Sequence, residues 1–317
     1  MKSTLYLVIP CYNEEEVLPE TSKRLHEKMS KMINDNLINE NSKIVFVNDG
    51  SKDKTWQIIC AKHAQDDIFC GVNLSRNQGH QNALLAGLMT VKDDADMVIS
   101  LDADLQDDIE VIDEYVEKFY AGCDIVYGVR SSRKKDTFFK KFTAQAFYKV
   151  MKAMGVDIVF NHADYRLMSK RALNELSKYR EINLFLRGIV PLIGFKTDIV
   201  YYERNERFAG ESKYPLKKML NFAFDGITSF SVKPIRMILA LGVLVFTASI
   251  IMLIYTIVQF FIGHTVTGWA SIMVSIWAIG GLLLLSIGVV GEYIAKIYLE
   301  TKDRPRYIVE QYLNEKK

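Results

Sequence analysis

Two aspartates one residue apart, Asp102 and Asp104, follow a short apolar run that begins at Met97. An Asp-x-Asp pair at the end of a strand can hold a divalent cation against a diphosphate. Mg²⁺ and Mn²⁺ bind hard oxygen ligands, and Mg²⁺ sites are usually shared with substrate phosphates. A chain with 38 acidic residues contains such pairs by chance, mostly on solvated turns. The pair therefore indicates a metal site only if the residues around it also form a binding site.

The elements around the pair predict an α/β domain with a mostly parallel sheet. Apolar, β-branched runs predict strands at 5–10, 43–48, 69–74, 97–102 and 124–127. Helical patterns alternate with them, near 15–33, 55–66, 81–91 and 109–120. Strands that alternate with helices form βαβ units. Ligands of such sheets bind beyond the carboxyl ends of the strands.

Polar segments follow each of the first four predicted strands. They are 10–15 (Pro-Cys-Tyr-Asn-Glu-Glu), 48–53 (Asn-Asp-Gly-Ser-Lys-Asp), 75–80 (Ser-Arg-Asn-Gln-Gly-His) and 102–104 (Asp-Ala-Asp). One such segment would be an ordinary turn, since Asn-Asp-Gly-Ser forms turns without any function. Four consecutive strand ends with acids, amides and bases favour a binding crevice. The sequence has no GxGxxG after the first strand and no Gly-Lys dipeptide, which argues against a Rossmann dehydrogenase or a P-loop NTPase.

The charge distribution predicts two membrane spans near the C-terminus. The net charge of +2 argues against a dedicated nucleic-acid binder, and residues 237–295 include no Lys or Arg and one acid, Glu292. The apolar runs 237–262 and 269–290 each exceed the roughly 20 residues that cross a bilayer. A buried hairpin in a soluble core is the alternative, disfavoured because soluble helices usually carry a charged face. Basic residues precede the first run and follow the second, but the loop between the runs has none. The positive-inside rule therefore predicts a protein of the cell membrane with both termini in the cytoplasm.

These patterns predict four regions. They are a cytoplasmic domain at 1–214, an interfacial amphipathic helix at 215–236, two transmembrane helices within 237–295 and a cytoplasmic tail at 296–317. A second basic amphipathic segment, 137–155, is expected at the membrane interface or packed on the domain. The N-terminal residues do not have the pattern of a signal peptide. The four cysteines lack the spacing of a zinc site or a disulfide framework.

Ordered motifs run along nearly the whole chain. They are 9–15, 47–55, 75–87 and 101–107, then 128–130, 163–168 and 207–214, and finally 291–293 and 304–307. Together these motifs resemble those of inverting family 2 glycosyltransferases. The full pattern is similar to the polyprenyl-phosphate branch, which includes dolichol-phosphate mannose synthases and bactoprenol glucosyltransferases. The resemblance implies a GT-A-like domain that transfers a monosaccharide from a nucleotide sugar, with inversion, to a polyprenyl phosphate, for which undecaprenyl phosphate is expected.

The resemblance also implies roles for individual residues. The expected nucleotide-sugar contacts are Pro10, Tyr12, Asn13, Glu14, Asp49, Asp102, Arg130, Arg207, Ser212 and Lys213. The expected ligands of Mg²⁺ or Mn²⁺ are Asp102, Asp104 and Gln106, and the expected catalytic residues are Asp164, Arg166 and Asp104.

The chain departs from the family pattern after Leu105 and Gln106, in the motif 101–107. Relatives often continue with Asp or His and two prolines, whereas this chain has Asp107, Asp108 and Ile109. We assign neither aspartate to the metal, because either could cap the following helix.

The expected acceptor makes a strong general base unnecessary. A lipid monophosphate has a second pKa near ~6 and is largely ionised at neutral pH. A positioning role for Asp164 is therefore favoured over a role as base. Both substrates are anionic, so cationic side chains are expected to line the crevice. The candidates are Arg130, Arg133, Arg166, Arg207 and Lys213, with a solvated loop as an equal alternative for Arg133.

Two other functions stay open. A processive polysaccharide synthase would need a Gln-x-x-Arg-Trp element after the acceptor motif, but the tryptophans are Trp56, Trp269 and Trp277. An inactive membrane scaffold would have no reason to keep costly converging carboxylates. The donor sugar is also open among UDP-glucose, UDP-N-acetylglucosamine and UDP-galactose, with GDP-mannose less favoured. The choice between Mg²⁺ and Mn²⁺, the lipid length and a homo-oligomer formed through the spans cannot be read from the sequence.

Overall fold

A computed structural model describes residues 2–131, 162–182, 184–203, 231–262 and 268–314. The segment 137–155, most of 215–232 and the predicted site residues Arg133, Arg207, Ser212 and Lys213 lie outside these ranges. The chain divides into two compact units. One contains the β-sheet, and the other contains two long C-terminal helices.

Buried apolar runs form the strands of the first unit. The strands are β1 (Leu5–Cys11), β2 (Lys43–Asn48), β3 (Phe69–Leu74), β4 (Met97–Ser100), β5 (Ile125–Arg130), β6 (His162–Ser169), β7 (Thr197–Tyr202) and β8 (Val309–Leu313). They form one sheet in the order β7-β5-β6-β4-β1-β2-β3-β8. The pairs β1–β2, β1–β4, β2–β3 and β5–β7 are parallel, while β6 runs antiparallel between β4 and β5. The predicted mostly parallel α/β fold is confirmed.

Helices connect the strands and pack on the sheet. They are α1 (Leu18–Asn34), α2 (Thr55–Gln65), α3 (His80–Val91), α4 (Ile112–Tyr120), α5 (Lys170–Leu176) and α6 (Leu186–Leu192). In α3, Gly87 permits a close approach to the sheet, because a Cβ there would lie 2.5 Å from methyl carbons of Val8 and Val47. This contact packs α3 closely on β1 and β2.

The elements around the Asp-x-Asp pair differ in detail from the prediction. β4 ends at Ser100 rather than at residue 102, so the chain has left the sheet before Asp102. The predicted helix 109–120 is divided into a 3₁₀ turn, Ile109–Val111, and α4. Asp108 caps the turn by accepting a hydrogen bond from the N–H of Glu110 at 2.9 Å. This is the capping role expected from the sequence for Asp107 or Asp108.

The C-terminal segment differs from the simple tail predicted at 296–317. Strand β8 pairs antiparallel with β3 and forms an edge of the sheet. The pairing continues beyond the strand, because the N–H of Ser75 donates to the carbonyl of Ile308 at 3.1 Å. Asn73 also donates to the carboxylate of Glu310 at 3.0 Å. The end of the chain therefore supports the polar segment that follows β3.

The second unit contains α7 (Lys233–Ile262) and α8 (Trp269–Thr301). These helices cover the predicted apolar runs 237–262 and 269–290, and α8 continues past Glu292 and Lys296. Both are long and apolar enough to cross a membrane. Within the pair, the Tyr293 hydroxyl donates to the carbonyl of Ser231 at 2.5 Å.

Candidate active site

The polar segments after β1 and β2 are tied together by hydrogen bonds. Asn13 has a left-handed backbone with φ 55°, and its N–H donates to the Ser51 hydroxyl at 3.0 Å. Its side-chain oxygen accepts from the N–H of Lys52 at 2.9 Å. In the same turn Pro10 is buried, while Tyr12 is exposed. The expected nucleotide contacts at 10–14 are therefore held in a fixed turn with an aromatic ring at its surface.

Asp49 links the segment after β2 to the segment after β3. Its two carboxylate oxygens accept from the N–H groups of Gln78 at 2.7 Å and Gly79 at 3.0 Å. Burial raises the pKa of Asp49, although these two bonds and the charge of His80 oppose the rise. Gly79 has φ +84°, a conformation that favours glycine. Asp49 thus fixes the turn from which His80 begins α3.

His80, Asp102 and Asp164 converge at the carboxyl ends of the central strands. The His80 Nε2 atom lies 3.7 Å from Asp102 Oδ1 and 3.7 Å from Asp164 Oδ2. The imidazole side chain is 44% exposed and Asp164 is 14% exposed, so the group lines an accessible crevice. Desolvation lowers the pKa of His80, but the adjacent carboxylates outweigh it, and the pKa is raised. His80 therefore lies between the two aspartates, whose charges favour its protonated form.

Two arginines hold the carboxylate of Asp164. Arg166 donates from Nη2 to Asp164 Oδ1 at 2.6 Å, and Arg187 of α6 donates to both oxygens at 3.2 and 3.1 Å. Arg166 lies opposite Ser100 in the β4–β6 pairing and is buried. Burial opposes ionisation of Asp164, but Arg187, His80 and Arg166 outweigh it and hold the pKa well below its usual range. Asp164 is therefore a carboxylate that stays charged.

The Asp-x-Asp segment forms a tight turn beside this cluster. Leu105 has φ 55°, and the N–H of Gln106 donates to Asp104 Oδ1 at 3.1 Å. Burial raises the pKa of Asp102, and the charges of Asp164 and Asp104 raise it further, against the lowering effect of His80. Several acidic oxygens thus share a crevice in which their charges repel.

Arg130, at the end of β5, belongs to a second polar cluster. Its Nε atom donates to the Tyr202 hydroxyl at 3.3 Å, and that hydroxyl donates to Asp107 Oδ1 at 2.7 Å. Burial and the charge of Asp102 raise the pKa of Asp107 to about 6, although the Tyr202 bond and Arg130 oppose the rise. Asp107 is therefore a buried member of the site and not a helix cap.

The structure brings together most of the predicted site residues that it describes. Asp102 and Asp164 meet around His80, and Arg166 joins them through Asp164. Sequence analysis did not select His80 or Arg187. His80 could have been found, because it ends the polar segment after β3. Arg187 gave no signal, since it lies in an apolar stretch and reaches Asp164 only through the packing of α6.

A family model for glycosyl transferase family 2 matches residues 6–177, and a model for the GtrB C-terminal hairpin matches residues 233–297. The chain is a family 2 glycosyltransferase. The first match spans β1 to β6, which carry the polar segments described above, and the second covers α7 and most of α8.

Relatives of this glycosyltransferase match it over most of their length. An uncharacterised glycosyltransferase of Bacillus subtilis (strain 168), YkoT, is 55% identical over 96% of this chain and 91% of its own. A bactoprenol glucosyl transferase of Shigella phage SfX is 43% identical over 96% of this chain and 97% of its own. A solved structure titled mannosyltransferase PcManGT from Pyrobaculum calidifontis, in complex with GDP-Man and Mn²⁺, covers 94% of this chain and 85% of its own at 13% identity. The TM-score of this match is 0.42.

Proposed function

We propose that this glycosyltransferase moves a monosaccharide from a UDP-sugar to undecaprenyl phosphate at the cytoplasmic face of the cell membrane, with inversion. The product would serve modification of cell-envelope glycans. The similarity to bactoprenol glucosyl transferases over nearly the full chain carries the proposal, because it includes both the sheet unit and the helical pair. The names of these relatives favour glucose among the candidate sugars.

A divalent cation fits the residues of the Asp-x-Asp turn. Asp102 and Asp104 offer hard oxygen donors, and the repulsion among the acidic groups is what a cation relieves. Within the described ranges, no group of three His, Cys, Asp or Glu side chains is placed to hold a metal ion by itself. Water and substrate phosphates would complete the shell, as is usual for Mg²⁺. Asp102, Asp104 and Gln106 would hold the ion, which when bound neutralises charge on the leaving diphosphate.

The charge state of Asp164 supports a positioning role for it. A carboxylate held ionised by two arginines accepts a proton poorly, and its oxygens already accept three hydrogen bonds. An acceptor phosphate that is ionised at neutral pH needs no base. In this mechanism Asp164 keeps Arg187 and His80 at the crevice. The cationic side chains orient the attacking phosphate opposite the leaving group, and the negative charges stabilise the oxocarbenium character of the sugar.

The membrane topology is supported by the pairing of β8. This strand follows α7 and α8 in the chain but belongs to the same sheet as β1. An open sheet does not lie within hydrocarbon, so the two ends of the helical pair would be on one side of the bilayer. The basic flanks of the pair favour the cytoplasmic side.

Transfer in membranes would test the reaction. Membranes that contain the full chain would be incubated with undecaprenyl phosphate, Mg²⁺ and one radiolabelled donor at a time. The donors are UDP-glucose, UDP-N-acetylglucosamine, UDP-galactose and GDP-mannose. We expect one UDP-sugar to give an organic-soluble lipid with a single sugar of inverted anomeric configuration. Asp102→Asn should abolish the product, whereas Asp108→Asn should retain it, because Asn also caps a helical turn. A long polymer would favour a processive synthase, and no product from any donor would refute the proposal.

A further inference from the structure

A buried pair of side chains holds Arg130 from one side. The Tyr202 hydroxyl accepts a hydrogen bond from Arg130 Nε and donates one to Asp107 Oδ1. Tyr202 is 2% exposed and Asp107 is 3% exposed. Arg130 itself is partly exposed, so it extends from this buried pair to the surface of the crevice.

The chemistry of the three groups fixes the direction of each bond. An ionised carboxylate only accepts hydrogen bonds, so the Tyr202 proton points to Asp107 and the hydroxyl oxygen accepts from Arg130. Arg130 Nη2 also lies 3.9 Å from Asp107 Oδ1, which adds charge attraction. The backbone sets the pair, because Arg130 lies opposite Tyr202 in the parallel β5–β7 register. The N–H of Ser131 donates to the carbonyl of Tyr202 at 2.9 Å, which extends that pairing.

Packing alone does not explain the polar atoms of this pair. The Tyr202 ring packs edge-to-face on Tyr165 with centroids 5.3 Å apart, a contact that phenylalanine would also make. Burying a carboxylate is costly unless it is well bonded. Asp107 Oδ2 nevertheless has no hydrogen-bond partner among the described residues. Burying this pair therefore lowers the stability of the fold, and the clearest effect of the pair is to hold the guanidinium of Arg130.

We propose that Tyr202 and Asp107 are positioning residues that orient Arg130 toward the diphosphate of the donor. This inference rests on the proposed function, which supplies an anionic donor at the ends of the strands. Arginine binds phosphate through two parallel N–H groups, so the plane of its guanidinium matters. A free arginine side chain samples many rotamers, and most of this freedom is lost when it binds phosphate. Fixing one edge of the group before the donor binds reduces that loss.

Binding of UDP to the purified full chain would test the inference directly. Titration with UDP and Mg²⁺ would compare the wild type with Tyr202→Phe, which removes one hydroxyl and keeps the ring. We expect about tenfold weaker binding, as for the loss of a hydrogen bond to a charged group. The matched control is Tyr115→Phe, because the Tyr115 hydroxyl is also buried and donates only to the carbonyl of Tyr165 at 3.3 Å. The control should bind UDP as the wild type does, even if its melting temperature falls.

A double-mutant cycle separates orientation from general stability. In an Arg130→Lys background, Tyr202→Phe should have little further effect on UDP binding, since the group that it orients is gone. Asp107→Asn keeps an acceptor oxygen and should weaken binding less than Asp107→Leu. Unchanged binding by Tyr202→Phe, or an undiminished effect in the Arg130→Lys background, would overturn the inference. A wild type that binds UDP but transfers no sugar would count against the proposed reaction alone, because the binding comparison still decides the role of Tyr202.

Discussion

Replacing Asp164 with Asn separates a positioning carboxylate from a catalytic base. The change keeps the shape of the side chain but leaves Arg166 and Arg187 without their shared counter-ion. Arg166 is 2% exposed, so its charge would be uncompensated in a buried position. Losing one partner of a buried ion pair costs about 3–5 kcal/mol. Asn retains one acceptor and Arg187 is partly exposed, so we expect about 2–3 kcal/mol, a shift of roughly 4–12 °C in Tm.

The assay combines a melt of the detergent-solubilised chain with a pH–rate profile. Asp93→Asn is the matched control, because Asp93 pairs with Lys92 at the surface and should change the stability by less than about 1 kcal/mol. The pKa of folded Asp164 lies below its unfolded value. Its contribution to stability is therefore present above the unfolded pKa and is lost only as the pH falls through the folded one. The pH–rate profile of the wild type should therefore show no limb near neutral pH that arises from ionisation of Asp164. The reasoning would be refuted if Asp164→Asn were as stable as the Asp93→Asn control and its pH–rate profile lacked an acidic limb that the wild type shows. Asp164 would then be the base.

Three further perturbations test other parts of the site. His80→Gln should lower kcat about tenfold in steady-state assays, because it removes an imidazole whose protonated form attracts Asp102 and Asp164 at 3.7 Å by on the order of 1–4 kcal/mol; unchanged kcat would exclude a role in the reaction. Gly87→Val should lower the free energy of unfolding by about 1–3 kcal/mol in a denaturant titration, since its side chain would collide with Val8 and Val47. A variant of wild-type stability would show that α3 can move away from the sheet. Treatment with EDTA should abolish transfer until Mg²⁺ or Mn²⁺ is added, and activity that survives complete chelation would contradict a metal at Asp102 and Asp104.

Strand β8 links the C-terminal segment to the crevice, because it supports the polar segment that follows β3. Glu310 bonds to Asn73, which accepts a hydrogen bond from Asn48 at 2.7 Å. Asn48 directly precedes Asp49, whose carboxylate holds the turn before His80. A segment that looks like a tail in the sequence is thus an edge of the catalytic sheet.

Local patterns were sufficient to predict most of the fold. Strands β2 and β3 have the predicted bounds, because their buried and mostly apolar runs are followed by turn-forming residues. The apolar runs also predicted the positions of α7 and α8. The prediction failed where a boundary depended on a distant partner. Strand β8 is short and half-exposed, so nothing in its own sequence distinguishes it from a solvated tail until β3 offers an edge.

Residue types and their order along the chain predict the chemistry available at the site: acids, amides and bases after four strands, and two apolar helices beyond them. These features follow from residue type and local order, since a parallel sheet collects its carboxyl ends at one edge. Tertiary structure decided which charges touch. It placed His80 between Asp102 and Asp164, Arg187 on Asp164, and Tyr202 between Arg130 and Asp107. Such pairings depend on strand register and helix packing over many tens of residues, which no local pattern encodes.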